Sequence, residues 1–255
     1  HRIPHIIAEI AAGKNYALYL IPTPIGNLED ITLRALRLLR EVDVIACEDT
    51  RQTMKLLTHF DFKKPLVSFY TYNQRHRIPH IIAEIAAGKN YALVSDSGTP
   101  GISDPGYYLV RAAIDAGLSV VPLPGPCAAV TALVASGLPS DNFIFLGFLK
   151  RKAGKLKKEL AAAAALGSTV VFYESPYRVV KTLAHCATIF PPQTRVVLAR
   201  EVTKKFEEFI RGTLESVSEA VKGREMRGEF VVMFTPEGVA KEEQEEEETD
   251  DETKN

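Results

Sequence analysis

The sequence has few cysteines, no tryptophan and no long hydrophobic run. The three cysteines among its 255 residues, Cys47, Cys127 and Cys186, lie far apart and in no CxxC or His-paired spacing. This usage favours a reducing compartment and argues against a structural metal. No apolar run approaches the roughly 20 residues of a spanning helix, and no signal peptide opens the chain. We expect a cytoplasmic protein with no membrane partner and no bound metal.

The net charge of -1 conceals an uneven distribution of charge. Residues 239–255 hold nine acidic residues against two lysines, and they lack a run of apolar residues. We therefore expect a disordered acidic tail there. The rest of the chain is modestly basic, which suits an anionic partner without identifying one.

Residues 1–18 repeat residues 76–93 letter for letter. Old duplications drift, and repeat architectures need several units of a fixed period. In the second copy, Ile78, Ile81, Ile82 and Ile85 form a helical apolar stripe that leads into a strand. We accept residues 76–93 as native and interpret residues 1–18 as an artefactual duplicate that lies outside the fold.

From Tyr19 onward, apolar runs alternate with helical patterns. Strands are predicted at 19–21, 42–47, 66–69, 91–94 and 118–123. Helices are predicted between them, including one with Leu33, Leu36 and Leu39 on its buried face. This alternation is typical of a five-stranded parallel sheet covered on both faces, which we assign to an N-terminal domain of residues 19–137.

Residues 138–238 predict a second α/β domain. Strands at 143–148 and 169–173 alternate with helices at 155–166 and 176–186. The later strands, at 195–199, 207–211 and 229–234, lack regular helical crossovers, so the second sheet is predicted to be mixed. Two such domains predict a ligand cleft between them.

The most informative segment is the Gly/Pro loop at residues 95–106, with the sequence SDSGTPGISDPG. It follows a predicted buried strand and precedes a helical pattern. Open α/β sheets bind ligands outside the carboxyl ends of their strands, and glycine lets a backbone approach a ligand closely. The loop therefore predicts a binding site that has Asp96 and Asp104 on its rim.

Several motifs in fixed order resemble the ribosomal RNA small-subunit methyltransferase I family, within the tetrapyrrole methylase superfamily. They are PTPIGNLEDIT at 22–32, EDTR at 48–51, the loop at 95–106, LPGP at 123–126, YESPYR at 173–178, ARE at 199–201 and RGE at 227–229. The resemblance implies S-adenosylmethionine bound between two tetrapyrrole methylase-like domains. It also implies methylation of a cytidine ribose 2′-hydroxyl in the decoding region of small-subunit (16S) ribosomal RNA, by a homodimer.

Given this resemblance, the cofactor is expected to contact residues of several motif loops. The expected cofactor-binding residues are Ile21, Asp96, Gly98, Thr99, Cys127, Ala128, Tyr173, Glu201 and Gly228. A ribose hydroxyl is a poor nucleophile, so a positioned carboxylate would help as a general base. The candidates for this catalytic role are Glu48, Asp49 and Glu174.

Basic and polar residues are candidates for contact with the RNA. Lys150, Arg151 and Lys152 follow a predicted strand, where phosphate contacts would give affinity without sequence information. Asn27, Arg51 and Arg178, in three of the motifs, complete this set. The expected partner is small-subunit ribosomal RNA or the small ribosomal subunit.

Two other functions stay open on the sequence alone. One is a methylase of a small, tetrapyrrole-like substrate. The other is a non-catalytic RNA- or nucleotide-binding module that kept the fold.

Overall fold

The structure is a computed structural model, and it describes residues 16–236. The chain divides into two compact units between Cys127 and Ala128. The predicted acidic tail, residues 239–255, and residues 1–15 of the first repeat copy lie outside the described residues.

The first unit is built on a parallel five-stranded sheet in the order β3-β2-β4-β1-β5, as predicted. Its strands are β1 (Ala17–Leu20), β2 (Val44–Cys47), β3 (Leu66–Ser68), β4 (Tyr91–Leu93) and β5 (Ser119–Pro122). Its helices are α1 (Leu33–Glu41), α2 (Thr50–His59), α3 (Gln74–Ala86) and α4 (Tyr107–Asp115), and a 3-10 turn spans Leu28–Asp30.

Helices cover both faces of this sheet. Alternate residues of β1 point to opposite faces, so Tyr19 packs with α1 and α2 while Leu18 packs with α3 and α4. Ile81 and Ile85 of the predicted isoleucine stripe are fully buried in the second of these layers. The two-sided burial explains why the strands read as continuous apolar runs.

The predicted buried face of α1 is correct for Leu39 and Leu36 and wrong for Leu33. Leu39 is buried and Leu36 packs against the same core, whereas Leu33 is 86% exposed. Thr32 caps the helix by accepting a hydrogen bond from the Ala35 backbone N–H, which makes Leu33 its first residue. Ala35 and Leu38 complete the buried face.

The second unit begins with α5 (Ala128–Val134), which packs on β7 and β10. The division therefore precedes α5, whereas the predicted boundary follows residue 137.

The sheet of the second unit has the order β6-β7-β10-β8-β9 and is mixed, as predicted, because β6 and β7 are parallel and the other pairs are antiparallel. Its strands are β6 (Phe143–Phe148), β7 (Thr169–Glu174), β8 (Arg195–Arg200), β9 (Glu208–Thr213) and β10 (Phe230–Thr235).

Three helices cover one face of the second sheet. They are α6 (Ala153–Ala164), α7 (Val179–Cys186) and α8 (Leu214–Val221). Helix α8 was not predicted. Thr213 and Ser216 form a reciprocal capping box at its start, and Leu214, Val217 and Val221 form its buried face. These two signals were present in the sequence and mark the helix.

The end of the first repeat copy belongs to the fold, contrary to the interpretation of residues 1–18 as lying outside it. Ala17 and Leu18 form the first half of β1 and are almost fully buried. Leu18 is paired with Tyr91 of β4 on one side and Val120 of β5 on the other. The repeated Tyr-Ala-Leu segments therefore contribute to two neighbouring parallel strands.

Leu18→Ala is expected to lower the free energy of unfolding by about 2–4 kcal/mol, because it leaves a cavity in a closed layer. Urea unfolding followed by circular dichroism measures this loss. Leu33→Ala is the matched control, and its exposed side chain predicts a change within about 0.5 kcal/mol. Equal, small effects of both substitutions would contradict the place of Leu18 in the core.

Candidate active site

Loops from four strands meet at the carboxyl edge of the first sheet. Thr23, after β1, exchanges two backbone hydrogen bonds with Gly98, after β4, with N···O distances of 3.0 and 3.1 Å. The Thr99 hydroxyl donates to the Pro126 carbonyl oxygen at 2.9 Å, which ties in the loop after β5. The Asp49 backbone N–H, after β2, donates to Asp96 Oδ1 at 3.1 Å.

This close approach requires glycine at position 98. Gly98 has φ of +86°, and a Cβ there would lie 3.1 Å from Ile25 Cγ2 and 3.3 Å from the Pro126 carbonyl oxygen. A side chain would therefore be strained by the backbone conformation and would separate the three loops. The structure thus brings together four predicted cofactor-binding residues, which are Asp96, Gly98, Thr99 and Cys127.

Three carboxyl groups at this edge influence one another. Burial, followed by the charges of Asp104 and Asp96, raises the pKa of Glu48 to about 7. Burial and the Asp96 charge raise the pKa of Asp104 to about 6, and burial also raises the pKa of Asp96. Like charges in a partly desolvated site oppose full ionisation. Glu48 is therefore a carboxyl that can exchange a proton near neutral pH.

Asp49 has a different role from its neighbour Glu48. Its carboxylate accepts from the Arg51 backbone N–H at 2.8 Å, which caps α2, and from the Arg51 guanidinium at 2.7 and 3.0 Å. These contacts hold the pKa of Asp49 at about 2. Such a weakly basic carboxylate is a poor proton acceptor, so the structure favours Glu48 over Asp49 as a general base.

A pocket of about 210 Å³ opens beside Asp96. It lies between the 3-10 turn at Leu28–Asp30 and the exposed face of α2. It is lined by Thr23, Pro24, Leu28, Gln52, Thr53, Lys55, Leu56, Ser95 and Asp96. The sequence analysis did not single out Gln52 or Lys55. Both residues lie on α2, and their spacing of three residues places them on the same face of the helix. This spacing, next to the EDTR motif, could have identified them as candidates.

Within residues 16–236, no group of three His, Cys, Asp or Glu side chains has a geometry that could hold a metal ion. No helix in the same range is long and apolar enough to cross a membrane.

Comparison with known proteins places this fold and site in a family. Residues 17–218 match the family described as Tetrapyrrole (Corrin/Porphyrin) Methylases. The chain is 48% identical over 221 residues to Ribosomal RNA small subunit methyltransferase I of Halalkalibacterium halodurans, covering 87% of this chain and 76% of that protein. It is also 48% identical over 231 residues to the Bacillus subtilis protein of the same name, covering 91% and 78%. The chain belongs to the ribosomal RNA small-subunit methyltransferase I family, within the tetrapyrrole methylases.

A solved tetrapyrrole methylase has the same fold. The uroporphyrin-III C-methyltransferase of Thermus thermophilus, complexed with S-adenosylhomocysteine, superposes with a TM-score of 0.60 at 20% identity. The match covers 85% of this chain and 96% of that protein. The predicted fold class, two α/β units of the tetrapyrrole methylase type, is confirmed.

In this methyltransferase, the third catalytic candidate, Glu174, lies in the second unit and is only 2% exposed. Its Oε2 accepts from the Thr182 hydroxyl at 2.7 Å, and its Oε1 accepts from the Ser175 backbone N–H at 2.8 Å. Arg178 lies 3.4 Å from the same Oε2 atom. Protein groups thus occupy both oxygens, so the geometry assigns Glu174 a structural role.

Arg178 connects Glu174 to the basic segment after β6. Its guanidinium donates to the carbonyl oxygens of Leu149 and Lys150 at 3.4–3.5 Å. This contact fixes the start of the segment, whose Lys150, Arg151 and Lys152 are all exposed. Arg178, predicted to bind RNA, is thus engaged by protein atoms and positions the residues beside it.

Glu201 and Gly228 form a closed turn in the second unit. Glu201 Oε1 accepts from the Glu229 backbone N–H and from Lys204 Nζ, both at 2.9 Å. A Cβ on Gly228 would lie 2.4 Å from Glu201 Cγ, so glycine is required there. The Glu201 carboxylate is therefore engaged within the turn.

The remaining predicted site residues are placed as follows. Ile21 is completely buried in the core of the first sheet. The Asn27 side chain accepts from the Glu29 backbone N–H and caps the 3-10 turn. In the second unit, the Tyr173 hydroxyl accepts from the Ala129 backbone N–H at 3.3 Å, next to Ala128. The Ile21 side chain therefore packs in the core, and the Asn27 side chain stabilises the 3-10 turn.

Proposed function

We propose that this protein transfers a methyl group from S-adenosylmethionine to the 2′-hydroxyl of a cytidine in the decoding region of small-subunit (16S) ribosomal RNA. The relatives, nearly half identical along most of both chains, are named for methylation of small-subunit ribosomal RNA. The observation that carries the proposal is the Glu48 carboxyl, which ionises near neutral pH at the ligand-binding edge of the sheet.

The residues at this edge fit the cofactor. S-adenosylmethionine carries a cationic sulfonium, and its bound form supplies an electrophilic methyl group for in-line transfer. The carboxylates at this edge favour a cation, and the Gly98 and Thr99 loop lets the backbone approach a ligand. Asp96, Gly98, Thr99 and Cys127 would hold the cofactor. The family resemblance also proposes cofactor contacts by residues of the second unit, which are Ala128, Tyr173, Glu201 and Gly228.

Glu48 is proposed to accept the proton of the ribose hydroxyl as that hydroxyl attacks the methyl carbon. A general base works best when its pKa is near the operating pH, and Glu48 meets this condition. Burial raises the pKa of Glu48, and the charges of Asp104 and Asp96 raise it further. Holding the nucleophile and the methyl group in line supplies much of the remaining rate acceleration.

The exposed cations Lys150, Arg151 and Lys152 are proposed to contact RNA phosphates. Among the described residues, none of the three side chains forms a salt bridge, so each is available to a phosphate. Arg51, whose side chain is 85% exposed, is proposed to contribute from the first unit. The proposal includes a cytoplasmic location, where the ribosomal substrate is assembled, and a homodimer.

The basic segment disfavours the small-substrate alternative, because its three exposed cations, Lys150, Arg151 and Lys152, suit a polyanion.

The direct test is transfer of tritiated methyl groups to small ribosomal subunits from a strain that lacks the modification. The expected product is a 2′-O-methylcytidine, identified by mass spectrometry of the digested ribosomal RNA. Below pH 7, kcat of the wild-type protein should rise about tenfold per pH unit as Glu48 loses its proton, and it should level off above pH 7.

Glu48→Gln should lower kcat by about 100-fold or more and abolish this pH dependence, because the amide cannot accept the proton. Glu219→Gln, at an exposed carboxylate in the second unit, should retain the wild-type rate and profile. A base methylated in place of a ribose would overturn the proposed reaction. A Glu48→Gln variant with wild-type kcat would overturn the role of Glu48.

Replacing Lys150, Arg151 and Lys152 together by glutamine should weaken binding to the ribosomal RNA and flatten its salt dependence. Each lost phosphate contact should reduce the log-log salt slope by about 0.7–0.9. Filter binding at several salt concentrations measures the slope, and calorimetry with S-adenosylmethionine should show an unchanged cofactor Kd. An unaltered slope would show that the segment is only a solvated surface.

A further inference from the structure

The pocket beside Asp96 has few polar groups that are free to recognise a ligand. The Thr23 hydroxyl donates to the Ser95 carbonyl oxygen at 3.1 Å, and the Ser95 hydroxyl donates to the Gly98 carbonyl oxygen at 2.9 Å. Both hydroxyl protons are therefore committed to the loops. Thr53, the third hydroxyl of the lining, is almost fully buried. Recognition falls to Asp96, Gln52 and Lys55.

These three side chains offer complementary hydrogen-bonding groups. Asp96 accepts the Asp49 N–H through Oδ1, and a carboxylate can accept further hydrogen bonds. Lys55 Nζ lies 3.3 Å from Gln52 Oε1, which leaves the Gln52 amide N–H groups and the other ammonium protons as donors. The pocket thus presents both a hydrogen-bond acceptor, on Asp96, and donors, on Gln52 and Lys55.

The remaining walls suit a flat ring. Pro24, Leu28 and Leu56 provide apolar surface, and the volume of about 210 Å³ admits a single small ring system with its immediate substituents. Enzymes that act on a nucleotide within a structured nucleic acid extrude it into such a pocket and read its hydrogen-bonding edge.

We infer that this pocket receives the base of the target nucleotide and that Asp96, Gln52 and Lys55 select cytosine over uracil. The inference rests on the proposed function and names its substrate-recognition site. Cytosine presents an amino group that can donate to Asp96, together with a ring nitrogen and a carbonyl oxygen that can accept from Gln52 and Lys55. Uracil would place a carbonyl oxygen against the Asp96 carboxylate, and this repulsion disfavours it.

The location of the pocket connects base recognition to the reaction. Asp96 lines the pocket, and it lies near enough to Glu48 for its charge to raise the pKa of that carboxyl. The ribose is bonded directly to the base, so a base seated beside Asp96 brings its 2′-hydroxyl toward Glu48. Lys55 and Gln52 are then positioning residues, because they hold the base and do not contact the reacting atoms.

The test is titration of the protein with cytidine 5′-monophosphate and uridine 5′-monophosphate, followed by NMR of the backbone and Gln52 side-chain amides. Cytidine monophosphate should shift signals of Thr23, Gln52, Lys55 and Ser95 and should bind at least fivefold tighter than uridine monophosphate. Shifts confined to other residues, or equal affinities for the two nucleotides, would overturn the inference.

The variants Gln52→Leu and Lys55→Met keep the approximate side-chain volume and remove the donors. Each should weaken cytidine monophosphate at least fivefold and lower kcat/KM on small ribosomal subunits at least tenfold, with an unchanged Kd for S-adenosylhomocysteine. Lys63→Met, at an exposed lysine outside the pocket, is the charge-matched control and should bind as the wild type does. Wild-type nucleotide affinity in both pocket variants would overturn the inference.

The nucleotide titration keeps this inference separate from the proposed function. Selective cytidine monophosphate binding at the pocket supports the recognition site even where methyl transfer to ribosomal subunits fails. Methyl transfer to a cytidine ribose that is unaffected by both variants overturns the recognition site and leaves the proposed function intact.

Discussion

The hydrogen bond from the Asp49 backbone N–H to the Asp96 carboxylate joins the loops that follow two neighbouring strands, β2 and β4. It holds Asp96 close to Glu48. Burial raises the pKa of both carboxyl groups, and the charges of Asp104 and Asp96 raise the pKa of Glu48 further. Parallel strands make this arrangement possible because all their carboxyl ends lie at one edge of the sheet. The candidate base, the cofactor loops and the pocket all depend on that edge.

A second ionic contact performs a supporting role in the other unit. Glu174 is buried and paired with Arg178, which holds the backbone carbonyls at the start of the basic segment. A buried carboxylate is tolerated only when its oxygens are satisfied, and Thr182, Ser175 and Arg178 satisfy them. The YESPYR motif thus contains a carboxylate and an arginine that position the exposed basic segment after β6.

Much of the fold could be predicted from the sequence, because buried parallel strands appear as short apolar runs bounded by Gly/Pro loops. Leu36 and Leu39 of α1 were predicted correctly, but Leu33 was placed on the buried face because it lies three residues before Leu36, and as the first residue of the helix it is exposed. Strand β1 begins at Ala17, before the predicted start at Tyr19. The exact repeat that contains Ala17 and Leu18 does not indicate which strands these residues pair with.

The motif loops of the site were also predictable, but the roles of their carboxylates were not. Glu48 and Asp49 are adjacent in sequence, yet the pKa of one is raised and that of the other is lowered. Burial and the Asp104 charge raise the pKa of Glu48, whereas hydrogen bonds from Arg51 lower the pKa of Asp49. Both effects depend on the three-dimensional environment of each side chain. Gln52 and Lys55 were missed because polar residues on an exposed helix face have the same sequence pattern whether they contact only solvent or line a pocket.

The carboxyl groups of Glu48, Asp96 and Asp104 are proposed to supply the negative charge that favours binding of the cationic methyl donor. The most direct measurement is the Kd of S-adenosylmethionine and of uncharged-sulfur S-adenosylhomocysteine between pH 5.5 and 7.5. As Asp104 and then Glu48 ionise, the preference for S-adenosylmethionine should rise about fivefold, or ~1 kcal/mol. The Glu48→Gln variant should lose the part of this rise that falls near pH 7 and keep the part near pH 6 that comes from Asp104. A preference that stays constant with pH in the wild-type protein would contradict the account.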